Sequence, residues 1–361
     1  MNKKLIVFRA LPKTRDARTV RYLNTEGYEE VKLNTWEDFS NENDGIHKLK
    51  LDKKRYSKII TYPLYLLYLF FYSLFYIKND EDVICMELDT FLPVYLGSWF
   101  KNNTIYFDIV DPIAETKFKA FPFNIIFDYL EVIFLKYRKY NILPNRNRVN
   151  YYEEKLGVRT QDFNYAIVEN VPLLIADNFQ KDLSQNVTIG YFGTLEESRG
   201  LMELINFIQK VDMQLIIAGD GRLKNVIIEK IKNLNNIKYI GSFKYEKIGD
   251  LFEKIDFLWA YYSDKVFLHK FASPNKYYEH LAYKTPIIMN KFVPQSINIR
   301  KNNSGIVIGD DLTDKTFQSL FFAMKGYRYC KENFFLWEAK YLKYKIILKK
   351  NQKCTDESCK V

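Results

Sequence analysis

Ser273-Pro274-Asn275-Lys276-Tyr277-Tyr278-Glu279 is the stretch from which the fold is read. It predicts the start of a helix. Ser273 offers an oxygen to cap free N–H groups, and Pro274 suits the first helical position. Leu281 and Ala282 continue an apolar face, and Thr285-Pro286 ends it. Lys276 conflicts with this setting, because the first turn of a helix favours an anion. A phosphate at this end removes the conflict, since both the bare N–H groups and Lys276 reach it. Glu279 follows one turn later on the same face. A carboxylate beside a phosphate suits the hydroxyls of a ribose. The plainer reading is an exposed Lys276–Glu279 ion pair on a surface helix.

The residues before this helix favour the phosphate. A strand at Val187–Phe192 ends at Gly193-Thr194, and a helix begins near Arg199-Gly200 with the apolar stripe Leu201, Leu204, Ile205 and Ile208. Arg199 is a second cation at a helix start, so Arg199 and Lys276 read as two sides of one anion site. Strands at Leu215–Ala218 and Ile237–Ile240 end in Gly219-Asp220-Gly221 and Gly241, and another follows at Phe257–Ala260. Pro286–Met289 and Gly305–Ile308 complete the set, and Leu312 to Ala323 is a helix.

The first half alternates in the same way. Strands are expected at Leu5–Phe8, Glu30–Leu33, Lys58–Thr61, Val83–Met86, Thr104–Asp108, Tyr140–Leu143 and near Tyr165–Val168, with helices between them. This pattern predicts an α/β protein with parallel sheets covered on both faces, and ligands at the carboxyl ends of the strands. At 361 residues, two domains are expected. The pattern breaks after Glu169-Asn170-Val171-Pro172. The expected organisation is a first domain over 1–172, a linker over 173–186, a second domain over 187–328, a C-terminal helix over 329–350 and a disordered tail over 351–361.

Four cysteines without metal-ligand spacing favour a reducing cytoplasm, and three histidines argue against a His-rich metal site. The apolar run at the N-terminus stops at Arg9, too short for a signal peptide. The net charge of +10 is concentrated at the C-terminus, where Lys325 to Lys360 holds ten Lys or Arg and four Asp or Glu. Aromatics interleave with these lysines, which fits an anionic membrane surface better than nucleic acid. Two further stretches carry the same ambiguity. Residues 59–77 place Tyr62, Tyr65, Tyr68, Tyr72 and Tyr76 at helical spacing, as for a helix lying in a membrane interface or one packed with its tyrosine edge towards water. Residues 117–139 set phenylalanines among lysines and permit the same two readings.

In order and spacing, Ile189-Gly190-Tyr191-Phe192-Gly193-Thr194, Arg199-Gly200-Leu201, Ile217-Ala218-Gly219-Asp220-Gly221, Tyr239-Ile240-Gly241 and the Ser273–Glu279 stretch resemble the donor domain of the retaining GT-B glycosyltransferases of group 1. The likeness covers about residues 187 to 310. More loosely, Asp82-Val83-Ile84, Leu88-Asp89 and Tyr106-Phe107-Asp108-Ile109-Val110-Asp111 resemble the acceptor domain. The resemblance implies two Rossmann-like domains with sheets facing each other across a cleft, and a C-terminal helix (Lys331–Leu348) crossing back to the first. It also implies transfer, with retention, of a sugar from a UDP- or GDP-linked donor to a glycan or lipid-linked glycan, without cofactor or metal. In that scheme Glu279 binds the ribose, and Arg199 and Lys276 bind the diphosphate. Gly219 and Gly241 lie near the base, and Gly193, Thr194, Ser273 and Asn275 border the donor. Asp111 contacts the acceptor hydroxyl, and Arg15, Asp16 and Arg18 in the first loop face the acceptor. The implied setting is cell-surface polysaccharide or glycolipid assembly, in the cytoplasm or on the inner membrane face.

There are departures. Many relatives carry a second glutamate eight positions before Glu279, where this chain has Phe271. The basic residue common after the first strand's glycine is Thr194, and the glycine pair common in the first loop is missing. These leave a catalytically degenerate GT-B protein, binding a nucleotide or a partner enzyme without turnover, as the alternative. An epimerase on the same fold needs carboxylates and histidines that the sequence does not assign.

Overall fold

The computed structural model describes residues 4–10, 17–25, 27–35, 58–172 and 186–334. Among these, the chain divides into two compact units after Glu169.

The first unit runs β1 (Lys4–Arg9), α1 (Ala17–Leu23), β2 (Glu30–Thr35), α2 (Lys58–Phe75), β3 (Asp82–Met86), α3 (Leu88–Gly97), β4 (Thr104–Asp108), α4 (Ile113–Thr116), α5 (Phe123–Tyr137), β5 (Asn141–Leu143), α6 (Asn147–Leu156) and β6 (Ala166–Ile167). Its six strands are parallel, in the order β2-β1-β3-β4-β5-β6, with Val7 opposite Leu33 on one side and Ile84 on the other. Leu5 to Phe8 are all buried, as the unbroken apolar run of a central parallel strand requires.

The second unit repeats the plan: β7 (Thr188–Phe192), α7 (Leu201–Ile208), β8 (Gln214–Ala218), α8 (Lys224–Ile231), β9 (Ile237–Tyr239), α9 (Ile248–Phe252), β10 (Phe257–Ala260), α10 (Asn275–Ala282), β11 (Ile287–Asn290), α11 (Ser296–Asn302), β12 (Gly305–Ile308) and α12 (Asp314–Lys325). Its parallel strand order is β12-β11-β10-β7-β8-β9. One core packs α7, α8 and α12 on one face, around Leu204, Ile205, Ile227 and Leu320. A second packs α9, α10 and α11 on the other, around Phe252, Tyr277, Leu281 and Ile299. Strand order reverses between β1 and β3 in the first unit and between β7 and β10 in the second. Crevices for ligands open at such points, beyond the strands' carboxyl ends.

Three expectations are corrected. Lys58–Thr61 is not a strand but the first turn of α2; its Ile59-Ile60 pair is apolar, and so short a run does not separate helix from strand. The tyrosine edge of α2 faces inward from Tyr62 to Tyr72, not towards water; Tyr76, just past the helix, is exposed. Tyr65 and Tyr72 are buried, the Tyr62 hydroxyl donates to Asp89 Oδ2 at 2.5 Å, and the Tyr65 hydroxyl donates to the Arg9 carbonyl at 3.3 Å. The opposite face shows Leu64, Leu67, Phe71 and Phe75 to solvent. Finally, α10 starts at Asn275, with Pro274 rather than Ser273 as its N-terminal flanking residue. The Ser273 hydroxyl turns instead to the Tyr278 hydroxyl at 3.0 Å.

Of the C-terminal helix expected over Lys331–Leu348, Lys331–Phe334 forms a 3-10 turn. The remainder, with residues 173–185 of the linker and the tail over 351–361, lies outside the described residues.

Candidate functional site

The site forms where the order of the second sheet reverses. Gly193 follows β7, and its N–H donates to the Ala218 carbonyl at 2.9 Å; the Gly219 N–H donates to the Gly241 carbonyl at 2.8 Å. The three strand-end turns are thereby stacked. Gly219 has φ +138°, and a Cβ there would lie 1.8 Å from the Gly193 carbonyl oxygen, so no other residue fits. A Cβ on Gly193 would lie 2.8 Å from Lys276 Nζ. The bare Gly193 backbone is what lets the lysine reach this turn. Thr194 is exposed beside it, and its carbonyl accepts from the Tyr191 hydroxyl.

Lys276 and Glu279 lie in α10, and both are buried, at 9 % and 4 % exposure. This excludes the plain surface ion pair. Lys276 Nζ stands 4.6 Å over the Tyr191 ring. Burial, and secondarily the charge of Arg199, push its pKa down to about 8, with Glu279 acting weakly in the other direction. Asn275 is the first residue of α10 and is exposed.

Arg199 ends the 3-10 turn Glu197–Arg199, and Gly200, at φ +61°, turns the chain into α7. The loop after β10 grips it. The Trp259 indole donates to the Arg199 carbonyl at 2.8 Å, and the Ser263 N–H donates to the Ser198 carbonyl at 2.9 Å. The guanidinium stacks 4.4 Å above the Tyr262 ring. Tyr262 is itself pinned by Asn290, whose Oδ1 accepts from its N–H at 2.9 Å while Nδ2 donates to its carbonyl at 3.0 Å.

His269 completes the grip. Its Nδ1 faces the Ser263 carbonyl at 2.8 Å. A carbonyl only accepts, so Nδ1 carries the proton and Nε2 is left to accept from Arg199 Nη1 at 3.4 Å. Burial and the Arg199 charge hold the His269 pKa down at about 4, so the ring stays neutral.

Among the described residues no carboxylate forms an ion pair with Lys276 or Arg199, and Lys276 feels the charges of both Arg199 and Glu279. An arrangement with two cations beside a bare glycine turn suits a polyanion. Phe271 lies buried in edge-to-face contact with Phe267, so the earlier carboxylate is indeed absent there.

Tyr191, Tyr262, His269, Trp259 and Asn290 were not singled out in the sequence. The available signal was the length of the loop after β10, since long loops at strand ends are often functional.

The acceptor-side expectations divide. Arg15 and Asp16 lie outside the described residues. Arg18 is corrected: it is buried, with Nε and Nη2 on the Asp108 carboxylate at 2.6 and 2.8 Å and Nη1 on the Val168 carbonyl at 2.6 Å. All three nitrogens are committed to the interior. Asp111 is partly exposed and pairs with Arg148 at 2.8 Å. At the first sheet's reversal point, Arg9 pairs with Glu87 at 2.9 Å, and Lys117 with both Glu87 and Asp89. No cluster of three or more His, Cys, Asp or Glu suited to a metal occurs among the described residues.

No protein-family model matches this chain, and no curated protein sequence does. Solved structures do. Sucrose-phosphate synthase from Thermosynechococcus elongatus is similar at 10 % identity with a TM-score of 0.68, over 98 % of this chain and 100 % of that one. HepE from Anabaena, solved with UDP and glucose, gives 10 % and 0.65 over 97 % and 99 %. WaaG, a glycosyltransferase involved in lipopolysaccharide biosynthesis, gives 11 % and 0.58 over 98 % and 96 %. The two parallel sheets with their flanking helices are the GT-B fold. At these identities the likeness carries the fold and not the activity.

Proposed function

We propose that the protein is a retaining glycosyltransferase that moves a hexosyl group from a UDP- or GDP-linked sugar to a glycan acceptor. The observation that carries this reading is the convergence of the half-buried Arg199 and the buried Lys276, with no carboxylate in ion-pair contact among the described residues, at the carboxyl end of β7 and β10. HepE, with UDP and glucose, and WaaG, in lipopolysaccharide biosynthesis, support it as neighbours of the same fold. The diphosphate lies between the two cations. As the glycosidic bond breaks, charge grows on the leaving phosphate, and cations already in place stabilise that state more than the ground state. The chain's own cations take this role, so no metal is required. Glu279 receives the ribose hydroxyls, and Gly219 and Gly241 border the base. Asp111 contacts the acceptor hydroxyl. The basic, aromatic stretches favour an acceptor carried on a lipid at the inner membrane face, in polysaccharide or glycolipid assembly.

The test is thermal unfolding against UDP, GDP, ADP, CMP and their sugars, followed by donor hydrolysis and transfer. One nucleotide is expected to stabilise the fold, by about 2.7 kcal/mol at a hundred times its Kd, and Glu279→Ala to abolish the shift. Stabilisation without hydrolysis or transfer to any acceptor would establish the degenerate binder instead. No shift with any nucleotide would overturn both.

A further inference from the structure

The apolar surface of this chain is concentrated in one place. Of the twenty-one exposed large apolar side chains among the described residues, fifteen lie between Leu64 and Tyr137. They are carried mainly by α2, the end of α3 and α5. These helices follow β2, β3 and β4, and each leads to a strand further in the same direction along the first sheet. Right-handed crossovers therefore lay all three on one side of it. They are neighbours there: α2 packs along α3, and Phe91 and Tyr95 of α3 meet Phe134 of α5 edge to face. Each buries one set of apolar residues and leaves a second set exposed. On α2 these are Leu67, Phe71 and Phe75, the last 70 % exposed. Trp99 follows α3, and on α5 Tyr129 and Ile133 stand opposite the buried Val132 and Leu135.

The orientation of α2 is the reverse of that of an ordinary surface helix. Tyr65 and Tyr72 are buried and the Tyr62 and Tyr65 hydroxyls are hydrogen-bonded, while Leu64, Leu67, Phe71 and Phe75 are exposed. A helix facing water is not patterned this way. The charges choose the apolar medium. Between Ile59 and Ile77 there is no charged residue, and lysines stand on both sides, at 58 and 78. On α5 the two acids, Asp128 and Glu131, are buried, whereas Lys119 and Lys139 beside it are exposed. On α5, acids are turned in and the flanking Lys119 and Lys139 out. No helix among the described residues is long and apolar enough to cross a bilayer.

We propose that the outer face of α2, α3 and α5 is a single docking surface that beds into the interface of an anionic bilayer. Phe71, Phe75 and Ile133 enter the acyl boundary, and Trp99 sits at headgroup depth. Lys119 and Lys139 meet the lipid phosphates. The surface goes beyond the enzymatic reading and does not depend on it.

Flotation of the full chain with vesicles of phosphatidylglycerol and phosphatidylcholine, against phosphatidylcholine alone, tests it at low salt. Partition to the anionic vesicles is expected to be at least tenfold the greater, and the triple variant Leu67→Gln/Phe71→Gln/Ile133→Gln is expected to lose at least tenfold of it. The single variant Trp99→Phe guards against misfolding of the triple one. Brominated lipid is expected to quench the wild-type fluorescence, and the quenched part to vanish in Trp99→Phe. Indifference of the wild type to vesicles, equal binding by the triple variant, or quenching unchanged in Trp99→Phe would overturn the proposal. So would a dimer that the triple variant dissociates, because a second copy would then cover the face. The nucleotide-induced thermal shift, measured on the same variants, is expected to persist in every case, which separates this failure from failure of the enzyme reading.

Discussion

The two units share a wound sheet but treat charge in opposite ways. The first buries ions in pairs and leaves hydrocarbon outside. Arg18 sits on Asp108, Lys155 on Asp128, and Arg9 on Glu87. The second brings the half-buried Arg199 and the buried Lys276 together with no carboxylate in ion-pair contact among the described residues, although the Glu279 charge acts on Lys276. A paired buried charge is already satisfied and supports structure. An unpaired one is costly unless a ligand completes it. The difference separates the residues that hold the fold from those proposed above to receive a donor.

Breaking a pair in the first unit should give the largest effect. Arg18→Leu leaves the buried Asp108 carboxylate without its cation, with the Tyr22 hydroxyl still donating to it at 2.8 Å, and is expected to lower stability by about 3–5 kcal/mol, while Arg18→Met combined with Asp108→Leu recovers most of the loss. Urea unfolding followed by circular dichroism reads both. If the single change cost under 1 kcal/mol, the pair would not be structural.

Hydrocarbon gives the next contrast. Leu204 of α7 is fully buried, and Leu204→Ala is expected to cost about 2–5 kcal/mol. Phe71→Ala on the outer face of α2 should stay within about 0.5 kcal/mol. Equal losses in the two variants would mean that Phe71 packs against something in solution.

How much of this was legible depended on how local each signal was. Lys276 and Arg199 were readable because a cation at a helix start is wrong on local grounds alone. Gly193, Gly219 and Gly241 were readable because strand-end turns need them. The alternation of strands and helices carried the two-sheet architecture. Arg18 was misread because a base in a loop looks solvated, and its partner Asp108 is 90 residues away. The tyrosine spacing of α2 showed two faces but not which one meets the sheet, since that depends on partners such as Asp89. His269 and Tyr262 were hidden because only the folded loop brings them to Arg199.

The pH dependence of the two units should also diverge. Burial pushes the Glu131 carboxyl up to about 8, with the Tyr152 hydroxyl and the Ile113 N–H opposing. The folded state then holds a proton that the unfolded state releases above 4.5, so Glu131 lowers stability progressively from about pH 4.5 to 8. Lys276 has the opposite sign. Its folded pKa is about 8 against 10.5 unfolded, so its cost fades and stability rises from about pH 8 to 10.5. Glu131→Gln should flatten the first slope and Lys276→Met the second, with Lys276→Met more stable at pH 7 by about 1–3 kcal/mol. A donor diphosphate wants the lysine charged, so donor affinity should fall above about pH 8, while the free protein gains stability. Calorimetric titration across this range checks it, and affinity rising with pH would exclude Lys276 from the anion site.

The smallest effect tests how finely the second unit aims its cations. His269 touches Arg199, and in the proposed reading it is a positioning residue that acts on the donor through that guanidinium. Its neutral Nε2 accepts from Nη1, while Tyr262 supports the guanidinium plane. His269→Ala should free the guanidinium and weaken donor binding about tenfold, near the 1.4 kcal/mol of one good hydrogen bond. His269→Gln, which keeps an acceptor, should restore part of it. Because the imidazole titrates near 4, the wild-type profile should show no His269 step between pH 5.5 and 7.5. A step there that His269→Gln removed would mean the ring is charged in use. It would then be a third cation facing the diphosphate rather than the acceptor that orients the first.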